Sequence, residues 1–122
     1  MNTEEKQLLL IDLCARLPYG VMIKDTYSGH YGRLVKIGNT FAYFISELNG
    51  NTLDAQLYYA KPYLRPMSSM TEEEKEEYDK TFDWDYSVQG TPFDWLNKHH
   101  FDYRGLIEKG LALEAKEGMY EG

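Results

Sequence analysis

Apolar and polar positions change their period along this chain. Near the N-terminus Leu10, Leu13, Cys14 and Leu17 recur at three- and four-residue spacing, which puts them on one buried stripe of a helix. Thr3 is the expected N-cap, Glu4 and Glu5 sit in the first turn where the dipole favours acids, and Pro18-Tyr19-Gly20 stops the element. From Val21 the pattern turns strand-like. Val21 to Lys24, Tyr31 to Ile37, Thr40 to Ser46 and Leu53 to Ala60 read as strands between turn residues, and Gly38-Asn39 suits a tight hairpin. In the last run Leu53, Ala55, Leu57 and Tyr59 share one face and Asp54, Gln56 and Tyr58 the other, as in a half-buried strand. Thr40 to Ser46 is apolar on both faces, which predicts a central strand covered by helices on its outer side.

Beyond Pro62 and Pro66 the punctuation is helical. Thr71 and Glu74 form a capping box that opens an acidic helix. Thr81 to Gly90, with Phe82, Trp84 and Tyr86 two apart, reads as a short extra strand or a packed loop. Thr91-Pro92 opens a helix with Phe93, Trp95 and Leu96 as its apolar body and Asn97 to His100 as its end. Asp102 is the expected cap of a short final helix running to Lys109 and closed by Gly110, and Leu111 to Ala115 a last strand or clasp. The sum is an α+β domain: a small antiparallel β-meander or SH3-like partial barrel flanked by N-terminal and C-terminal helices, with an open sheet packed on helices as the competing arrangement. One domain over 1–122 is expected, made of a helix (1–17), a meander (18–66) and a helical part (67–122).

Composition narrows the class. A chain of 122 residues, 43% hydrophobic and 15% aromatic, can bury a core of its own. Eleven tyrosines supply rings for a core, for a polar-aromatic surface or for self-association into a homo-oligomer. The single cysteine, Cys14, rules out an internal disulfide and a zinc site built from several cysteines, and its apolar surroundings predict a buried, protonated thiol. The acidic, polar start carries no signal-peptide pattern, and Leu8 to Ile11 is too short an apolar run to span a bilayer. A cytoplasmic protein with no membrane partner is expected. The net charge of −7 is uneven: residues 71–85 hold eight acids against Lys75 and Lys80, whereas 18–66 hold five bases against three acids. Overall acidity disfavours nonspecific duplex binding but leaves room for a local basic face.

Three stretches carry a resemblance. Asp12-Leu13-Cys14-Ala15-Arg16-Leu17-Pro18-Tyr19-Gly20-Val21, Lys61-Pro62-Tyr63-Leu64-Arg65-Pro66-Met67-Ser68-Ser69-Met70-Thr71 and Asp94-Trp95-Leu96-Asn97-Lys98-His99-His100-Phe101-Asp102-Tyr103-Arg104-Gly105-Leu106-Ile107 resemble a family of small proteins common in phages, prophages and mobile elements of gut Bacteroidales. They span less than half of the chain. The resemblance implies a mobile-element setting in a bacterial host and brings no known activity, so it assigns no catalytic residue.

Candidate chemistry lies in two groups. His99 and His100, with Asp94, Asp102 and Glu108 nearby, contain metal-ligand types, but adjacent helical residues point about 100° apart. Histidines closing a helix onto its last carbonyls are the simpler reading, and no cofactor or metal is expected. The second group sets Arg33, Lys36, Lys61 and Arg65 beside Tyr58, Tyr59 and Tyr63, the cations and stacking rings that nucleotides and single strands require. The plain alternative is edge-protecting charge and cross-strand packing. Tyr103-Arg104 adds a polar-aromatic pair near the histidines. Gly29-His30-Tyr31-Gly32 is a turn, and neither a P-loop nor a nucleophile-elbow motif is present. The expected function is therefore a non-enzymatic binding protein of a mobile element that blunts host defence by engaging a host protein or capturing a small nucleotide signal. A single-strand nucleic-acid accessory module is the alternative, and a hydrolase or metal enzyme centred on His99 and His100 the third class.

Overall fold

The computed structural model describes residues 1–82 and 91–120. Helix α1 (Thr3–Arg16) leads into a 3-10 turn at Leu17–Tyr19. Asn2, rather than Thr3, is the N-cap: Asn2 Oδ1 accepts from the Glu5 amide at 2.8 Å and Glu5 Oε1 accepts from the Asn2 amide at 3.1 Å. The reciprocal box needs an acceptor at the third helical position, which Glu5 supplies; from Thr3 that position would fall on Lys6, a donor only. The buried stripe is Leu9, Asp12, Leu13 and Arg16; of the expected Leu10, Leu13, Cys14 and Leu17, Leu13 alone is fully buried. Leu10 and Leu17 are half-buried and Cys14 is exposed. The helix is rotated because its polar pair is satisfied inside. Asp12 and Arg16, both fully buried, bond each other at 2.9 Å, while Asp12 also accepts from Arg104 at 2.7 Å and Arg16 Nη2 donates to the Phe101 carbonyl at 2.6 Å.

Strands β1 (Met22–Asp25), β2 (Tyr31–Ile37), β3 (Phe41–Ser46), β4 (Thr52–Gln56), β5 (Ala60–Leu64) and β6 (Leu113–Glu114) form one sheet in the order β4-β3-β2-β1-β5-β6. All pairings but the short parallel β5–β6 contact are antiparallel. The run from Leu53 to Ala60 is not one strand. It keeps the expected alternation, with Ala55 and Leu57 buried and Asp54, Gln56 and Tyr58 exposed, but turns over at Leu57–Tyr59, where the Tyr59 amide returns to the Gln56 carbonyl at 2.8 Å. β5 then lies beside β1, Ile23 facing Pro62 and Lys24 facing Lys61.

That turn decides the architecture. Four inter-strand steps of about 4.8 Å would separate β4 from β5 in a flat sheet, roughly 19 Å, whereas a closed β-turn spans less than about 7 Å. The sheet must curl until its ends approach, so the domain is α+β with the meander rolled into a partial barrel. Two local features help the curl. Val35 is an extra residue in a bulge between Leu34 and Lys36, which sharpens the local twist. Gly32 lets β2 and β3 approach: a Cβ there would stand 1.8 Å from the Ile45 carbonyl oxygen.

The hairpins follow the turn residues. The β2–β3 reversal falls one residue later than Gly38-Asn39, on Asn39-Thr40, with the Gly38 amide donating to the Phe41 carbonyl at 2.8 Å. The β1–β2 and β3–β4 loops share one design. Asp25 and Ser46 each accept from the amide two residues on, and Gly29 and Gly50, at φ +84° and +74°, close the loops. β3 has neighbours on both edges, but helices do not seal its outer side as expected. α1 supplies Leu9 and Leu13 to the core shared with Ala42 and Phe44, while the outward Phe41, Tyr43 and Ile45 stay half-buried.

Helices α2 (Glu72–Lys80) and α3 (Pro92–Lys98) open on the Thr71–Glu74 and Thr91–Asp94 capping boxes. A second core joins Trp95, Leu96 and Phe101 with Met70, Tyr78 and Tyr103. Asp102 does cap, accepting from the Leu106 and Ile107 amides at 2.8 and 3.0 Å, but the segment it caps is a series of turns and not the expected helix. Of Leu111 to Ala115, expected as a last strand or a clasp, Leu113–Glu114 form the short strand β6. Of the segment Thr81 to Gly90, Trp84 and Tyr86 lie outside the described residues. Among the described residues no helix is long and apolar enough to cross a membrane.

Candidate functional site

The curled sheet distributes the basic and aromatic candidates over separate places. Lys61 stands opposite Lys24 across β5–β1, and Arg33 opposite Met22 on β2. Tyr63, also on β5, is only 3% exposed; its ring meets Tyr31 edge-on at 6.5 Å, and Lys116 Nζ lies over Tyr31 and Tyr63 at 5.5 and 5.9 Å. Burial, then the Tyr31 hydroxyl, raises the Tyr63 pKa, so the phenol is neutral and packed and offers no open stacking face. Lys36 sits beyond the bulge, its ammonium 5.3 Å over Tyr43. Arg65 makes two 2.7 Å bonds to Glu74 and lies 4.2 Å over Phe101. Those bonds, chiefly, hold Glu74 down at about 2.

Tyr58 and Tyr59 are elsewhere. The β4–β5 turn carries them to the β1–β2 loop, where Tyr59 packs against Tyr27 at 5.3 Å and against Tyr58 at 5.0 Å. Tyr27 and Tyr58 are 80% and 60% exposed. Beside them opens a cavity of about 450 Å³ lined by Asp25, Tyr27, Phe41, Asp54, Gln56 and Tyr59, with three rings, two carboxylates and no basic side chain. Asp25 is buried because its oxygens hold the loop, accepting from the Tyr27 amide at 3.0 Å and the Ser28 hydroxyl at 2.9 Å. The sequence reading missed Asp25, Tyr27, Phe41 and Asp54 here. The Asp-x-x-x-Gly loop signal at Asp25–Gly29 was legible, but its meeting with Tyr59 depends on closure of the sheet.

The histidines occupy a third place. α3 ends in a Schellman motif: the Phe101 amide returns to Leu96 at 3.0 Å, the His100 amide to Asn97 at 3.1 Å, and His100 takes the left-handed conformation at φ +61°. His99 packs on Trp95 at 4.2 Å with Nε2 3.9 Å from Glu77. Burial lowers its pKa against the pull of Glu77 and Glu74. His100 is 5% exposed, stacks on Tyr120 at 4.0 Å, and is held near 3 by burial and then by the charges of Arg16 and His99. Both rings are neutral at pH 7, so it is backbone amides and not imidazolium charge that close the helix. Tyr103 donates to Asn97 of α3 at 3.0 Å and Arg104 bonds Asp12 of α1, which ties both into the internal packing.

No family model, curated protein or solved structure matches the chain. Geometry alone therefore ranks these places. Among the described residues no three His, Cys, Asp or Glu side chains converge as a metal site. The tyrosine–carboxylate cavity is the place where exposed aromatic area, concavity and unbalanced charge coincide.

Proposed function

We propose that this chain is a non-catalytic binding protein, encoded by a phage or mobile element, which engages a host protein and thereby blunts host defence. The supporting observation is the cluster of exposed Tyr27 and Tyr58 with half-buried Tyr59 beside a cavity that carries Asp25 and Asp54 and no base. Tyrosine gives large contact area at low entropic cost and is enriched where proteins bind proteins. Rings and carboxylates around one cavity favour a cation, so the partner presents an arginine or lysine side chain to it. Tyr27 and Tyr58 contribute little to the core, which makes them clean probes. A Tyr27→Ser, Tyr58→Ser double variant keeps the fold, and affinity capture from host lysate with quantitative mass spectrometry compares it with the natural chain. A partner retained by the natural chain and lost by the variant supports the reading; an identical captured set refutes it.

The nucleic-acid alternative rests on Lys24, Arg33 and Lys61 on neighbouring strands with Lys116 close by. It requires single-strand binding that weakens steeply with salt, and an unshifted oligonucleotide at low salt removes it.

A further inference from the structure

The tyrosine–carboxylate cavity is built by elements that the chain ties together. The Thr26 amide and hydroxyl both donate to the Tyr59 carbonyl at 2.9 Å, which pins the β1–β2 loop to the β4–β5 turn. That pinning sets the Tyr27 and Tyr59 rings 5.3 Å apart with 42° between their planes, two walls meeting at an angle. Phe41 supplies a third ring from β3, where it faces Gln56 of β4, and Asp54 stands two residues before Gln56 on the same face of that strand. The volume of about 450 Å³ lies within the range of ligand pockets, about 300–1,000 Å³. Its rings are held in place before anything binds, which reduces the ordering cost of association.

The two carboxylates differ in what they offer a cation. Asp25 is 8% exposed, and both its oxygens already accept, one from the Tyr27 amide and one from the Ser28 hydroxyl. It lends the cavity negative charge without an uncommitted oxygen. Asp54 is exposed and, among the described residues, in no ion pair. Lys36, on the strand beside β3, lies over Tyr43 and does not line the cavity. A guanidinium calls for a fork of paired acceptors, and a primary ammonium for three acceptors in place of its water. N–H donors left unpaired on leaving water are costly, and here one free carboxylate stands among three rings. A methylated ammonium keeps the positive charge with few or no N–H donors to satisfy, and aromatic rings attract it directly.

We infer that this cavity is an aromatic cage for a methylated ammonium group, which the partner presents on a methylated lysine; the inference rests on the cavity belonging to the binding surface proposed above. Tyr27 and Asp54 are exposed, so Tyr27→Leu and Asp54→Asn leave the fold intact. Choline, its uncharged tert-butyl analogue and guanidinium are titrated separately into the full chain, with sodium exchanged for each cation so that screening stays constant. Binding is followed by amide NMR shifts. Three results together support the cage: saturable choline shifts at Tyr27, Phe41, Asp54 and Tyr59 with a Kd of about 1–10 mM, binding of the analogue and of guanidinium about tenfold weaker or less, and choline affinity reduced about two- to fivefold in each variant. No saturable shift up to about 50 mM choline, equal binding of the analogue or of guanidinium, or undiminished affinity in both variants overturns it. Host-protein capture that depends on Tyr27 and Tyr58 while choline does not bind removes the cage and leaves the docking surface. Choline binding with capture indifferent to both tyrosines removes the docking surface and leaves a cage for a free methylated ammonium.

Discussion

Replacing His100 by Asn should flatten the acid side of the stability profile. Unfolded histidine titrates near 6.5, whereas His100 is held at about 3 by burial first, then by Arg16 and His99, with Arg65 adding to them and the Tyr19 backbone opposing. Tyr120 covers one face of the ring. Where both states are neutral, above about pH 7.5, the group has no linkage effect. As pH falls through 6.5 the unfolded chain takes a proton that the folded chain refuses, so stability falls, and it continues to fall down to about pH 3. Between about pH 7.5 and pH 5 the loss from this one residue is about 2 kcal/mol, since 1.5 pH units below 6.5 each contribute about 1.4 kcal/mol. Asparagine accepts the φ of +61° without a titrating group. Urea unfolding of both proteins at the two pH values isolates the term, because His99 and the carboxylates titrate in both. The natural chain should lose about 2 kcal/mol more than the variant. A difference below about 0.5 kcal/mol would mean that His100 is not shielded, and the buried placement of its ring would be wrong.

The buried pair on α1 makes a second test: Asp12→Ala, which strands the Arg16 guanidinium, should cost about 3–5 kcal/mol, while Asp12→Leu combined with Arg16→Met should recover most of that loss in the same urea assay. Gly32→Ala should destabilise by about 3 kcal/mol or more, because its methyl must displace the Ile45 carbonyl, and strand exchange protection at β2–β3 would report it. Glu74, held near 2 chiefly by the Arg65 hydrogen bonds, contributes stability that is present above about pH 4.5 and lost as pH falls towards 2. Solvent screening limits it to about 1 kcal/mol, so Glu74→Gln should lose about that much at pH 7 and nothing at pH 2.

Local rules written in adjacent residues were the legible part of this fold. The Thr71–Glu74 and Thr91–Asp94 boxes, the extent of Tyr31–Ile37 and the alternation at Ala55–Tyr58 all depend on neighbours within four residues. What could not be read depends on distant partners. Asp12 and Arg16 look solvated until Arg104 and the Phe101 carbonyl, more than eighty residues away, are brought to them. That pairing turned α1 and exposed Cys14. Pro62 argues against an interior strand, yet β5 runs through it because β1 lies alongside. The site followed the same division. Tyr58, Tyr59, Arg65, His99 and His100 stood out by residue type, but only closure of the sheet sets Tyr59 on Tyr27, and only the α2 contact commits Arg65 to Glu74.

The proposed function requires that the β4–β5 turn and the β1–β2 loop together form the surface through which the protein binds its partner. Hydrogen–deuterium exchange of the chain, free and bound to the host protein it captures, tests this directly. Added protection should centre on residues 25–29 and 54–60, with the exposed faces of α1 and α2 unchanged. Protection confined to those helices, with both tyrosine segments exchanging as in the free chain, would contradict it.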